Sequence, residues 1–241
     1  MPVAVILSGA GRYADPWHPF PATSRRLQAL AAENGYDVTI TEDIDETLAQ
    51  GLAGVDLLIV NAGDPARAEC DTPDPALLDR ARAGLATAVA RGMSLLGLHA
   101  AASTLRDYPD YRALLGGEWV VGQSWHPPQG EFHVRPLHDA IVEGLGDFTV
   151  IDERYTGLTI DRGVEPLAAS TGEHHVLAWA NQVGPGRAVY SALGHDERSY
   201  DSAGHRALLR RALSWLFPRP PFADKNPDKN TVAAKRGTTV L

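Results

Sequence analysis

The residues most able to do chemistry in this 241-residue chain are its nine histidines, and three of them stand where an apolar run ends. His99 lies in Gly97-Leu98-His99-Ala100-Ala101, directly after the run 93–98, with Ser103 and Thr104 following. A strand, a small residue, a polar residue and two alanines are the layout of a sharp strand-to-helix turn. Such a turn presents its central side chain at the carboxyl edge of a sheet, where ligands bind in doubly wound folds. The short helix it opens would add backbone N–H donors suited to an oxyanion. His195, in Leu193-Gly194-His195-Asp196-Glu197, sits just past a second run at 187–191. Gly194 lets the chain turn there, and the adjacent carboxylates are expected to orient the imidazole and raise its pKa. His18 follows the first apolar run in the same sense. If those strands are parallel, three imidazoles meet at one edge. Imidazoles so placed transfer protons near neutral pH or ligate a divalent ion.

Two further groups come from the second half and would close such a site from above. They are His126, in Trp125-His126-Pro127, and Glu153, in Asp152-Glu153-Arg154-Tyr155. The other histidines carry less. His133 lies on an alternating stretch with Glu131 and Arg135 and reads as a solvated face. His138, before Asp139, reads as a turn or cap residue, and His174, His175 and His205 as surface. Trp17, Trp119 and Trp125 suit stacking on a flat apolar ligand face and equally suit ordinary packing. The one cysteine, Cys70, is flanked by Glu69 and Asp71, which oppose thiolate formation. Gly9-Ala10-Gly11-Arg12-Tyr13-Ala14 spells a dinucleotide fingerprint, but Pro16, Pro19 and Pro21 work against the helix that must open at once. No nicotinamide cofactor is expected. G-x-S-x-G, P-loop and H-E-x-x-H patterns are absent from the sequence.

The elements that must position these groups follow from periodicity. Apolar runs at 3–7, 38–40, 55–60 and 93–98 read as buried strands. They alternate with a helix over 24–34, closed by Asn34-Gly35, and a long helix capped by Asp74 and ended at Arg91-Gly92. Continuous apolar strands separated by helices imply a parallel sheet covered on both faces. After about residue 116 the pattern shifts to short strands at 131–135, 149–151, 165–169, 175–180 and 187–191. A last helix runs from near Ser202 to Leu216. The fold class expected is α/β, three-layered and mostly parallel, with antiparallel additions in the second half. One domain would occupy 1–218, and 219–241 would be a polar basic extension with no core of its own.

Composition narrows the partners. There are 22 basic against 30 acidic residues and a formal net charge of −8, so no electrostatic footprint for nucleic acid exists. The extension is basic, with five basic against two acidic residues and all three lysines. It reads as a mobile tail, and a homo-oligomer with the tail on a neighbouring subunit stays open. No stretch of about 18 apolar residues is present, so no membrane span is expected. The opening MPVAVILSGAG reads as a strand rather than a signal peptide, and a single cysteine supports no disulfide framework, so a cytoplasmic setting is expected.

The chain resembles the trehalose-utilisation (ThuA-like) family, whose fold is similar to class I glutamine amidotransferases. The resemblance rests on Gly97-Leu98-His99-Ala100-Ala101, Leu115-Gly116-Gly117, His126-Pro127 and the stretch from His138 to Leu145. It continues through Asp152-Glu153-Arg154-Tyr155 and Gly186-Arg187 to Leu193-Gly194-His195-Asp196. Asp139 departs from the family's usual proline. The resemblance implies a protein serving uptake and breakdown of trehalose and related disaccharides by way of oxidised 3-keto sugars. Amidotransferases carry a nucleophilic cysteine on the elbow and a histidine and glutamate two residues apart near the end. His195 and Glu197 keep the second pattern, but His99 holds the elbow, so glutaminase activity is not expected.

Three readings follow. The first is acid–base chemistry on a disaccharide or keto-sugar by His99, His195 and Glu153, with His18, His126, Tyr155, Asp196 and Trp125 binding substrate. The second places a divalent metal such as zinc on His99, His195 and Glu153, for a hydrolase or lyase reaction. The third is a sugar- or partner-binding domain without catalysis.

Overall fold

The computed structural model describes residues 1–64 and 74–217. Cys70 and the extension 219–241 lie outside the described residues.

Nine strands form one mixed sheet. The first half of the chain supplies β1 (Val3–Ser8), β2 (Asp37–Thr41), β3 (Leu57–Asn61) and β4 (Ser94–Leu98). Residues 117–118 and 159–160 form a small separate pair, β5 (Gly117–Glu118) and β8 (Thr159–Ile160). The second half adds β6 (Gly130–Pro136), β7 (Phe148–Asp152), β9 (Glu165–Ser170), β10 (Val176–Val183) and β11 (Gly186–Ser191). The sheet order is β2-β1-β3-β4-β11-β10-β9-β6-β7. Pairing is parallel from β2 through β11 and antiparallel from there to β7. β3 and β4 are wholly buried, which explains their unbroken apolar spelling. Each fully buried Leu, Ile or Val there contributes about 1.5–3 kcal/mol over leaving it in water.

Helices cover both faces. One layer holds α1 (Phe20–Glu33), α5 (Glu197–Asp201) and α6 (Ala203–Leu216); the other holds α2 (Ile44–Ala49), α3 (Pro75–Arg91) and α4 (Pro109–Leu115). Asp74 caps α3 by accepting from the Ala76 N–H at 3.1 Å, and Gly92 ends it at φ 95°. α1 starts at Phe20, four residues before the helix read from sequence, because its prolines sit at the first turn, where no N–H is missed. The short helices α2, α4 and α5 were not anticipated; with few turns they carry little periodicity. His205 is a further correction, being fully buried in α6, where its Nδ1 meets Ser199 Oγ at 2.9 Å. His133, His138 and His174 are exposed and His175 is half-buried.

The antiparallel arm returns over the helical layer. Ser202 Oγ donates to Thr149 O of β7 at 2.6 Å and caps α6 by accepting from the His205 N–H at 3.4 Å. Gly204 gives Phe148 its room, since a Cβ would lie 2.2 Å from that ring. The end of β7, on the far edge of the sheet, is thereby brought back to the ends of β1, β4 and β11.

Candidate active site

His99 closes β4 and opens a single 3-10 turn, His99–Ala102, rather than a helix. Its φ is 47°, in the left-handed region, which costs a non-glycine residue about 1–3 kcal/mol. The surroundings hold that conformation. Tyr190 OH donates to His99 O at 2.7 Å, and Gly97 leaves space that Leu115 and Tyr190 fill. His99 Nδ1 lies 2.7 Å from Ala192 O. A carbonyl only accepts, so Nδ1 carries a proton and Nε2 faces the site. That nitrogen is 3.0 Å from Tyr155 OH and 3.3 Å from Glu153 Oε2.

His18 is set by an Asx turn. Asp15 accepts from the backbone N–H of Trp17 at 2.9 Å and of His18 at 3.0 Å, and holds His18 Nδ1 at 2.7 Å. Phe20 stacks on the imidazole, with centroids 5.3 Å apart. Of the two glycines before this loop, Gly9 serves packing, since a Cβ there would lie 2.5 Å from Phe20 and 2.6 Å from Tyr13 O, and Gly11 serves the turn, with φ 53° and open space around it. His195 follows Gly194, whose φ of 129° suits glycine. Asp152 accepts from Gly194 N at 2.7 Å, from His195 N at 3.3 Å and from Glu153 N at 2.8 Å, so one buried carboxylate ties β7 to the His195 loop.

The three imidazoles converge, with ring centroids 4.9–5.3 Å apart. Glu153 stands among them. Its Oε2 is 3.3 Å from His99 Nε2, 3.4 Å from His195 Nδ1 and 3.5 Å from His126 Nε2. His126 is delivered by a bridge between Trp125 and Thr156, which sets it beside Tyr155. Trp119 packs edge-on to Tyr155, centroids 4.6 Å apart. The cleft encloses about 190 Å³, and Trp17, His18, Asp64, Ser103 and Trp119 are among its walls. That is below the roughly 300–1,000 Å³ typical of drug-sized ligands, and the cleft is open to solvent, so it takes one ring of a ligand whose remainder stays outside.

Charge is divided across the cluster. Burial pushes His99 down, but the hydrogen bond to Glu153 and the field of Asp152 outweigh it and raise the imidazole. Burial pushes Glu153 up, and His99 with the other imidazoles brings it below the usual carboxylate range. Burial lowers His195, with the neighbouring His99 adding to it, and burial lowers His18 despite Asp15. The expected rise at His195 is therefore corrected. Glu197 faces Arg26 at 3.5 Å on the surface, and Asp196 caps α5 and pairs with Arg198 at 2.6 Å.

Of the residues singled out from sequence, His18, His99, His126, Glu153, Tyr155 and His195 come together. Asp196 is committed to Arg198 and Gln129 beside the site, and Trp125 lends its backbone while its ring stays 56% exposed. Asp15 and Asp152 were missed. Asp15 had a local signal, an Asx turn ahead of Pro19; Asp152 had none beyond its neighbour Glu153.

A mixed sheet between two helical layers, with a strained elbow on a central strand, defines a class I glutamine amidotransferase-like fold whose elbow carries imidazole instead of a thiol. The model of the ThuA family, described as trehalose utilisation, matches residues 5–216, and the chain belongs to that family. ThuA-like proteins of Parabacteroides merdae ATCC 43184 and Bacteroides uniformis ATCC 8492 are each 16% identical with a TM-score of 0.69. The first covers 90% of both chains; the second covers 89% of this chain and 91% of its own. A glutamine amidotransferase of Thermotoga maritima is 10% identical, with a TM-score of 0.53 over 89% of this chain and 97% of that one. Among curated proteins none matches the sequence.

Proposed function

We propose that the protein is an enzyme acting on a disaccharide or keto-sugar by acid–base chemistry in this cleft. The observation that carries the reading is Glu153 Oε2 within 3.5 Å of three imidazoles. A carboxylate beside imidazoles of differing proton affinity can take a proton from carbon or hydroxyl while an imidazolium gives one to oxygen. That pairing suits a substrate whose C–H is acidified by an adjacent carbonyl. Glu153 and His99 form the proton-transfer pair and His195 assists. His18, His126 and Tyr155 orient the ring, and Trp119 and Trp17 offer it aromatic faces. Hydrolysis of glutamine is absent in this reading, because His99 replaces the elbow thiol. Trehalose as the substrate class comes from the family description, and the keto-sugar from the resemblance. No helix among the described residues is long and apolar enough to cross a membrane.

The test is turnover of 3-keto-trehalose and of trehalose, followed by NMR, for the protein and its Glu153→Gln and His99→Ala variants. Turnover of the keto-sugar that falls by about 10²–10⁴ in both variants supports the reading. Wild-type protein that binds these sugars without converting them would instead mark a sugar-binding domain.

A further inference from the structure

We propose that His18, His99, His195 and Glu153 form the binding site of one divalent transition-metal ion of the zinc class. One ligand atom from each lies within 4.8 Å of the others. An ion with ~2.0–2.1 Å bonds in tetrahedral geometry sets its ligand atoms about 3.4 Å apart. Glu153 Oε2 already stands 3.3 Å from His99 Nε2 and 3.4 Å from His195 Nδ1, so two edges of that tetrahedron exist. The remaining ligand atoms lie no more than 4.8 Å apart.

Two independent features point the same way. His18 Nε2 and His195 Nδ1 are buried without a hydrogen-bond partner, although their neighbourhood is polar. Buried polar atoms are rarely left so unless something else binds them. The opposite nitrogens of His18 and His99 are fixed by the Asp15 carboxylate and by Ala192 O, each at 2.7 Å. Metal-ligating histidines almost always have that outer support, which fixes the tautomer and increases ligand basicity. Three imidazoles with one carboxylate favour zinc and its transition-metal neighbours over magnesium or calcium, which take oxygen ligands.

With all four ligands in place, an ion here would act as a Lewis acid on a sugar oxygen only by taking it as a fifth ligand. His99, His195 and Glu153 would then serve as ligands in place of the proton-transfer roles given them above, leaving proton handling to His126 and Tyr155, which border the set. The ion's binding is independent of the carbohydrate reading; its use on a sugar rests on it.

The test begins with the metal content of the full chain purified without chelator, by plasma mass spectrometry. Chelator-stripped protein is then titrated with Zn²⁺, Co²⁺ and Ni²⁺ alone by calorimetry, and the Co²⁺ form is read by visible absorption. One ion per chain is expected. Affinity should fall at least 100-fold in His18→Ala and Glu153→Gln, and about 10–100-fold in Asp15→Asn. The exposed control His133→Ala should leave it unchanged. Circular dichroism of each variant separates lost ligation from lost fold, and Asp15→Asn keeps all four ligands. Absence of binding to any of the three ions overturns the proposal, as does binding indifferent to His18 and Asp15. Metal-free protein that turns over the keto-sugar removes the ion from the chemistry and keeps the acid–base reading, while the titration alone decides whether the ion binds. A bound ion with no turnover of any sugar keeps the ion and removes the carbohydrate reading.

Discussion

Two buried polar clusters lie beyond the carboxyl ends of the parallel strands, and they differ in one respect. Around Asp45, Arg12 donates from Nε at 2.9 Å and Nη2 at 3.1 Å, Tyr13 OH donates at 2.6 Å, and Tyr108 OH completes the set. Arg12 Nη1 goes on to Asp107 at 2.9 Å. Burial acts to raise the Asp45 carboxyl, and the hydrogen bonds from Arg12, Tyr108 and Tyr13 outweigh it and hold it low. No buried side-chain atom of that cluster lacks a partner. Around Glu153, by contrast, His18 and His195 each keep a nitrogen without one. A closed cluster pins the loops after β1 and β2 together. An open cluster of similar burial keeps capacity for something that is not protein. Partner accounting, together with the convergence of imidazoles on one carboxylate, separates this pin from this site.

The contrast can be broken at several points. Asp45→Ala removes one of the two carboxylates that pair with Arg12 and takes the acceptor from two tyrosine hydroxyls, and should cost about 3–5 kcal/mol in urea unfolding. Glu153→Gln should cost under about 1 kcal/mol, since sites are commonly kept at the expense of stability, while turnover falls by about 10²–10⁴. Equal losses of stability in the two variants would erase the distinction. Asp152→Asn leaves at least one of three backbone N–H groups without its acceptor, at roughly 1–3 kcal/mol. It should also move the pH profile of turnover, because His195 loses its anchor; a variant that loses stability with an unchanged profile would reduce Asp152 to scaffolding.

His205 sharpens the comparison through pH. Burial lowers its proton affinity in the fold. The unfolded chain therefore takes up that proton first as pH drops through the ordinary value of 6.5. Stability is fully present above that value and is lost below it, and His205→Gln should flatten this slope in denaturation midpoints measured from pH 7.5 to 5. The smallest effect belongs to His99→Asn. Asparagine tolerates the left-handed backbone better, offsetting the lost bond to Ala192 O, so a change within about 1 kcal/mol is expected in thermal melts. A much larger loss would show that His99 is held for packing rather than for chemistry.

Much of the scaffold was legible along the chain. The buried runs of β1, β3 and β4 spell strands covered on both faces, and Asp74, Gly92 and Ser202 mark helix ends by local capping chemistry. The convergence of His18, His99 and His195 followed from parallel strands sharing one edge. What reads poorly is whatever depends on distant neighbours. His205 spells as surface, yet Ser199 and Tyr200 bury it. His195 sits beside Asp196 and Glu197 in sequence, yet those carboxylates turn to Arg198 and Arg26.

The sequence by itself determined the alternation of strands and helices, the elbow residue and which imidazoles share an edge, because these follow from short-range periodicity and from strand ends; the family followed from the resemblance of its motifs. Only the tertiary structure decided that Glu153 stands among the imidazoles, that Asp15 and Asp152 support them, and which nitrogens remain open. Those facts depend on the antiparallel arm folding back so that the end of β7, an edge strand, reaches the ends of the central strands β4 and β11. A path of that kind is set by packing across the whole molecule, and no local pattern of residues encodes it.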